Sequence, residues 1–450
     1  MLGPQSNQAP PQYEYPSLIS SKNALFSQHH RSGSHLAGGF LAEEAKLYHV
    51  QVTESAANAP LQPVPMLDFS RQFAVIRDEV MDAIARVCES QRFILGPQVT
   101  SFETAAAQAC AAPYAVGCAS GTDALWLALA AASLDNYPGW GVITTPFSFF
   151  ASASCIMRAG GRPVFADIDP LTFNLSPDAV SELFQDPSCP SVEAVLPVHL
   201  YGQCVEWDAF DQMERDHPGL FIFEDAAQAF GATWGGRPAG SLGLAAAFSF
   251  YPTKNLSAFG DAGLLTTRSS ALAEHAKSLR SHGMTRRYYH DELGGCSRLD
   301  SIQAAVLEVK LRYIAAWNQR RRDLAARYNE LFLASGIATL TSPESPKTIA
   351  DGVVLPYTHP RAQHIFHQYV IRAPRRDELR THLTALGIGS EIYYPLCLHQ
   401  QTALLPLGYR TGDFPHAERA AAEVLALPIY PELRDDEQQT VTEAIRNFYA

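Results

Sequence analysis

Seven short apolar runs alternate with helix-like segments in the middle of the chain. The runs lie at 114–119, 141–146, 162–168, 194–200, 220–225, 245–250 and 262–267. Several are rich in Val, Ile and Phe, and intervening segments such as 123–132, 149–160 and 178–186 show helical spacing of apolar residues. Strands that alternate with helices predict an α/β fold with a large, mainly parallel sheet covered on both faces.

The flanking segments have other patterns. Helical spacing predicts one helix over 71–90 and a second from about Val99. Residues 301–335 form a long helical pattern, which predicts more than one helix and a link between two domains. Beyond it, a strand-like run at 367–373 and helices near 375–387 and 416–427 predict a small α+β domain.

The first 62 residues have a different composition, rich in Gln, Ser, Pro, Ala and His, with one short possible helix near 41–50. We interpret 1–62 as a disordered or poorly ordered extension, 63–320 as the large domain and 321–450 as the small C-terminal domain. The His-rich part of the extension could bind a metal, but a solvated tail is favoured, and no metal site is predicted.

Composition narrows the class of protein. A formal net charge of −12 disfavours nucleic-acid binding by counterion release. The sequence has no apolar run of about 18 residues, so no membrane association is expected. No secretory signal is evident in the sequence. The eight cysteines are scattered and include no C-x-x-C pair, and together these observations predict a reduced, cytoplasmic protein.

Four segments place polar or aromatic residues after predicted strands, where ligands of open α/β sheets bind. Gly121 and Thr122 open a helix whose backbone N–H groups could hold an anion, although a plain helix cap at Ser120 or Thr122 is favoured for this segment alone. Phe149, within the aromatic segment 146–150, could stack on a planar ring; core packing is the alternative.

The other two segments supply an acid and an amine. Asp225 ends an apolar run and could hold a protonated ring nitrogen, or else cap a helix. Lys254 follows an aromatic strand, where a lowered pKa would allow a Schiff base, whereas an average lysine is a solvated surface residue. Taken in order, anion cradle, aromatic, acid and lysine match the needs of pyridoxal 5′-phosphate (PLP).

From about Val64 to its end, the chain resembles the DegT/DnrJ/EryC1/StrS family of PLP-dependent sugar aminotransferases, of fold type I (aspartate-aminotransferase-like). The resemblance is based on SGTDAL, FEDAAQAFGA, FSFYPTKNL followed by GDAG, RSHG, and SRLDSIQAAVL. The late segments YYPLCLHQQ and LPIYPEL are also similar to the family.

The resemblance implies a role for each matching residue. Lys254 would bond to the cofactor aldehyde and act as the acid and base of the 1,3-proton shift, and Asp225 would bind the ring nitrogen. Gln228, three residues after Asp225 and predicted on the same helical face, would approach the ring hydroxyl. Further cofactor contacts would come from the stacked ring of Phe149, the backbone of Gly121 and Thr122, and the hydroxyl of Ser249. The resemblance also implies a homodimer with shared active sites.

Two differences from the family bear on cofactor and substrate. Cys296 stands where the family usually has an Asn that reaches the neighbouring subunit's phosphate, and a thiol is a poor donor, so we expect weaker cofactor retention. Tyr393 replaces a common His before Tyr394, in a loop that contacts the sugar nucleotide in relatives. Arg298, Tyr394 and His199 are further candidate substrate contacts; a structural ion pair and a core histidine are the alternatives for Arg298 and His199.

The expected reaction is transfer of an amino group, most simply from L-glutamate, to a nucleotide-linked keto-sugar in amino-sugar biosynthesis. A keto-cyclitol or similar acceptor stays open. A sugar dehydratase is disfavoured because relatives of that type replace the lysine with histidine, and a non-catalytic regulator is disfavoured by the intact Lys254, Asp225 and Gln228.

Overall fold

The computed structural model describes residues 63–132, 140–341 and 352–450. The predicted extension over 1–62 and the possible helix near 41–50 lie outside these residues. Among the described residues, no helix is both long and apolar enough to cross a membrane.

The described helices are, in chain order, α1 Phe69–Ser90, α2 Pro97–Ala109, α3 Gly121–Ala131, α4 Ala151–Arg158, α5 Pro177–Gln185, α6 Trp207–Asp216, α7 Ser270–Leu279, α8 Ser301–Leu311, α9 Ile314–Ala334, α10 Arg376–Ala385, α11 Pro415–Glu423 and α12 Asp435–Tyr449. Short 3-10 helices occur at Leu200–Gly202, Leu398–Gln400 and Thr402–Leu407.

The described strands are β1 Tyr114–Cys118, β2 Gly141–Thr144, β3 Arg162–Phe165, β4 Val192–Leu196, β5 Phe221–Asp225, β6 Thr233–Trp234, β7 Arg237–Pro238, β8 Ala245–Ser249, β9 Gly263–Thr267, β10 Met284–Arg286, β11 Tyr289–His290, β12 Ala338–Thr339, β13 Val353–Val354, β14 Ala362–Gln363, β15 Tyr369–Arg372 and β16 Val424–Leu427.

All seven predicted apolar runs overlap strands of one seven-stranded sheet, ordered β1-β9-β8-β5-β4-β2-β3. Strand β9 runs antiparallel to both its neighbours, and the other adjacent pairs are parallel. The prediction of an α/β fold with a large, mainly parallel sheet is confirmed.

Both faces of this sheet are buried, which explains why its strands have apolar runs instead of alternation. Along β2, for example, Ile143 joins the core on one face and Val142 the core on the other. Helices α2 and α8 pack on each other, and α3 packs on β8 and β9. The sheet is therefore a fixed platform whose strand ends position the loops.

A second sheet, ordered β12-β13-β15-β16, lies in the C-terminal part of the chain. The predicted helix over 416–427 ends at Glu423, and Val424–Leu427 is a strand instead. That part of the prediction is wrong, because this apolar run is buried and pairs antiparallel with Tyr369–Arg372. Helix α12 was not predicted.

The long pattern over 301–335 divides into α8 and α9, as predicted. Ile314, the first residue of α9, belongs to a core of the large sheet, whereas Leu324 and Tyr328 belong to the core around the small sheet. Helix α9 thus joins the two cores. The domain boundary at residues 320 and 321 falls within α9 and stays a prediction.

Candidate active site

The four segments selected from the sequence follow strands that point the same way in the large sheet. Because β1, β2, β5 and β8 are mutually parallel, their carboxyl ends lie at one edge. Gly121, Phe149, Asp225 and Lys254 follow or end these strands. The fold therefore brings the predicted pieces to a common edge.

Asp225 is the last residue of β5 and is 4% exposed. Its Oδ2 accepts a hydrogen bond from Ser152 Oγ at 2.7 Å, and its Oδ1 accepts one from the Ala227 N–H at 3.2 Å. Burial raises the pKa of Asp225, while these donors and the Lys254 amine lower it. The carboxyl is thus a held, inward-facing acid and not a helix cap.

Lys254 lies in a turn in which its N–H donates to the Tyr251 carbonyl at 2.8 Å. The residue is partly buried, and desolvation lowers the pKa of its amine to about 8, while the nearby charge of Asp225 acts in the opposite direction. An amine with this pKa is a better nucleophile and base near neutral pH than a solvated lysine. Lys254 is therefore not an ordinary surface lysine.

The start of α3 packs directly against Ser249, the last residue of β8. Ser120 is the N-cap, and its Oγ accepts from the Asp123 N–H at 3.0 Å. A Cβ added to Gly121 would lie 2.6 Å from Ser249 Cβ, so glycine is required for this approach. Ser120 therefore caps the helix. The N–H groups of Gly121 and Thr122 lie in its first turn, where an anion could bind, and that role stays a prediction.

Gln228 links the large sheet to the C-terminal part of the chain. Its Oε1 accepts from the Tyr201 N–H at 2.7 Å, and its Nε2 donates to the Tyr394 hydroxyl at 2.6 Å. Tyr201 and Tyr394 both have positive φ, 57° and 63°, and their rings stack. Such backbone strain at a ring pair beside a candidate site is typical of functional positions.

The predicted helical face for Gln228 is wrong. Residues after Asp225 form hydrogen-bonded turns, in which the Ala229 N–H donates to the Ala226 carbonyl at 2.9 Å. The Ala226 N–H is already bonded to Ala247 of the neighbouring strand, which keeps the chain along the sheet edge.

The aromatic segment 146–150 divides into a buried and an exposed part. Phe147 is fully buried and packs edge-on against Tyr394, so core packing describes that ring. Phe149 is 61% exposed and remains available for stacking on a ligand.

Cys296 and Arg298 lie on an edge segment beside β1. The Ala119 N–H donates to the Ser297 carbonyl at 3.1 Å, which places this segment next to the start of α3. Arg298 Nη2 donates to the exposed Cys296 Sγ at 2.9 Å. The described residues give Arg298 no ion pair, so the structural ion-pair alternative gains no support.

His199 has both ring nitrogens occupied within the protein. Its Nδ1 accepts from the Val205 N–H at 3.2 Å, so Nε2 carries the proton and donates to Glu224 Oε2 at 3.0 Å. The side chain is fully buried. This geometry favours the core-histidine alternative over a substrate contact. Tyr393, in contrast, is partly buried and lies beside Tyr394.

Comparison with known proteins identifies the family. The sequence model of the DegT/DnrJ/EryC1/StrS aminotransferase family matches residues 74–446. The chain belongs to this family. The resemblance seen in the sequence motifs is confirmed, and the chain is an aminotransferase of this family by descent.

Three similar proteins illustrate the range within the family. A pleiotropic regulatory protein of Geobacillus stearothermophilus is 45% identical over 86% of this chain and 98% of its own length. The dTDP-3-amino-3,4,6-trideoxy-α-D-glucose transaminase of Streptomyces venezuelae is 39% identical over 87% and 98%. The crystal structure of S. venezuelae DesV in complex with a ketimine intermediate has a TM-score of 0.79 and 38% identity, covering 87% and 99%.

Three residues of this family member's candidate site were missed in the sequence analysis. Ser152 was interpreted only as part of a helix, although a hydroxyl in the first turn after an aromatic loop can reach a neighbouring strand end. Glu224 was passed over beside Asp225; alternation along β5 points the two acids to opposite faces. Tyr201 had no local signal, because its role depends on a residue 193 positions later.

Proposed function

We propose that this aminotransferase uses PLP to move an amino group from an amino acid, L-glutamate, to a nucleotide-linked keto-sugar in amino-sugar biosynthesis. The observation on which the proposal depends is the electrostatic pair of Lys254 and Asp225 at the sheet edge. The transaminase named above, which is similar over 98% of its length, supports the substrate class.

The chain's own residues fit PLP. The helix start at Gly121 and the Ser249 hydroxyl form a close-packed cradle suited to a phosphate. The held carboxyl of Asp225 suits a protonated ring nitrogen, because opposite charges in a desolvated site stabilise each other. Gln228 Nε2 has a second hydrogen that could reach a ring hydroxyl, and the exposed ring of Phe149 could cover the face of the cofactor.

When bound, PLP supplies an aldehyde that captures amines and a ring that accepts electrons. Lys254 Nζ, with a pKa of about 8, is unprotonated in an appreciable fraction of molecules near neutral pH. With PLP bound, Lys254 would take the proton from the Cα of the donor and return it to the aldehyde carbon of the cofactor on the same face. Ser152 holds the carboxyl of Asp225 facing inward, and Gln228 holds Tyr394, so both side chains have fixed positions.

Substrate contacts, assembly and location are also part of the proposal. We assign Arg298, Tyr393 and Tyr394 to the sugar-nucleotide side, since they lie on loops at or near the same sheet edge. We also propose a homodimer with shared active sites, which the family resemblance implies, and a cytoplasmic location, which the scattered cysteines without a C-x-x-C pair favour.

The first experiment tests for attachment of PLP to Lys254. Purified protein incubated with PLP should absorb near the violet edge, and borohydride should fix a pyridoxyl group on the peptide that contains Lys254. Lys254→Ala should lose the label. Lys310→Ala is the matched control, because Lys310 is also buried with a pKa of about 8 but lies outside the proposed site. A colourless, unlabelled wild type would favour a non-catalytic regulator.

The second experiment tests the substrate class. A panel of nucleotide-linked keto-sugars is incubated with L-glutamate, and aminated product and 2-oxoglutarate are measured together. Product from a keto-cyclitol but from none of the sugars would replace the proposed acceptor. Gel filtration with light scattering tests the dimer independently.

A further inference from the structure

A pair of buried serines leads to the carboxyl of Asp225. Ser152, in the first turn of α4, is fully buried, and its Oγ lies 2.7 Å from Asp225 Oδ2. Ser148 is 3% exposed, and its Oγ lies 3.0 Å from Ser152 Oγ. These residues come from the loop after β2, whereas Asp225 ends β5, so the contact connects two segments of the sheet edge.

The chemistry of the groups fixes the direction of both hydrogen bonds. An ionised carboxylate has no proton to give, so Ser152 donates to Asp225. Ser152 has one hydroxyl proton, and this proton is already in use. Ser148 must therefore donate to Ser152, and the two hydroxyls form a relay that points toward the carboxylate. Chains of hydrogen bonds of this kind strengthen one another.

This arrangement opposes the effect of burial. Desolvation favours the neutral form of Asp225, and donors to its oxygens favour the ionised form. Oδ1 already accepts from the Ala227 N–H, and Ser152 itself lies in the first turn of α4, where the helix dipole favours negative charge. Other titratable groups that interact electrostatically with Asp225 are Lys254, His199, Cys155 and Tyr394.

We propose that Ser152, oriented by Ser148, is a positioning residue that keeps Asp225 ionised and aimed at the ring nitrogen of the cofactor. This inference rests on the proposed function, because it assumes that PLP occupies the site. It adds a residue that acts through Asp225 and itself need not touch the cofactor.

The test measures the holoenzyme of the wild type and of Ser152→Ala, Ser152→Cys, Ser152→Thr and Ser148→Ala. The readout is the pH midpoint of the visible absorbance of the lysine-bound cofactor, together with the rate of cofactor release. If Asp225 is less able to keep the ring protonated, the ring withdraws fewer electrons, and the nitrogen joined to Lys254 keeps its proton to higher pH.

Ser152→Ala should raise the midpoint by about one pH unit and speed cofactor release about tenfold, as expected for loss of a hydrogen bond to a charged group. Ser152→Cys should behave in the same way, since it keeps the volume but is a poor donor. Ser152→Thr keeps the hydroxyl and should stay near the wild type. Ser148→Ala should give at most about a third of the shift, because it weakens the relay without removing its last donor.

Thr442→Val is the control for loss of a buried hydroxyl, since Thr442 Oγ1 bonds within α12. The inference is overturned if neither Ser152→Ala nor Ser152→Cys moves the midpoint, or if only Ala does, which would indicate a cavity effect. It is also overturned if Thr442→Val gives the same shift. Borohydride labelling of Lys254 in the wild type separates the two claims: without it the proposed function fails as well, and with it only the serine relay is in question.

Discussion

The lowered pKa of Lys254 predicts that this residue destabilises the cofactor-free protein. Replacing it with Met keeps a similar volume and removes an amine that folding takes from water. We therefore expect Lys254→Met to abolish covalent cofactor attachment and to make the cofactor-free protein more stable at pH 7. Such a trade between stability and activity is common at active sites.

The magnitude follows from the two pKa values. The difference between the ordinary value of 10.5 and the folded value of about 8 corresponds to about 3 kcal/mol, as an upper limit. Because Lys254 is only partly buried, solvent screening reduces this, and we expect a gain of about 1 to 3 kcal/mol.

The sign with pH is also defined. The unfolded chain binds the proton more tightly than the folded chain, so the penalty is complete below pH 8. It declines between pH 8 and pH 10.5 and is absent above that range. The advantage of Lys254→Met over the wild type should therefore fall at pH 10 to less than about a third of its value at pH 7.

Thermal unfolding of the cofactor-free proteins at both pH values measures this advantage as a difference in Tm. Lys310→Met is the matched control: Lys310 is 3% exposed, donates to Ser257 Oγ, and should give a similar gain while keeping cofactor attachment. A Lys254→Met protein that is no more stable at pH 7, or whose gain is the same at pH 10, would refute the reasoning.

Four further predictions concern the surrounding residues. Gly121→Ala should weaken PLP binding about tenfold, measured by fluorescence titration, because the added methyl would overlap Ser249; unchanged affinity would contradict the cradle. Glu224→Gln should lower the free energy of unfolding by about 3 kcal/mol, since this buried carboxylate accepts from His199 and three backbone N–H groups; an unchanged urea midpoint would argue against it. Cys296→Asn should slow cofactor release in a dialysis assay, and an identical rate would show that the thiol does not weaken cofactor retention. Tyr394→Phe should weaken cofactor affinity by up to about tenfold, because Gln228 Nε2 loses the hydroxyl to which it donates. An affinity equal to that of the wild type would contradict this role of Tyr394.

The large sheet could be predicted from the sequence because its strands are buried on both faces. In runs such as 220–225 and 262–267 the polar residues come only at the end, after four residues without a polar side chain. The run at 424–427 was assigned to the preceding helix, since four apolar residues after an Ala-rich helix fit either state. Only pairing with Tyr369–Arg372, more than 50 residues away, determines the strand.

The candidate site was predictable to a similar extent. Lys254, Asp225 and Gly121 follow strands whose direction the pattern already implied, so their meeting at one edge follows from the topology. Ser152 and Tyr201 could not be found in this way, because their partners are distant in the chain and their residue types are common in helices and loops.

The contact between Gly121 and Ser249, together with the tight approach of Gly263 to the Ser120 carbonyl, has a practical meaning for altering this enzyme. Directed evolution toward a new acceptor substrate should keep Gly121 and Gly263 unchanged. It should instead vary the exposed aromatic residues near 149 and the loop at 393–396. Libraries restricted in this manner should contain many more variants that fold and bind PLP than libraries that also randomise these two glycines.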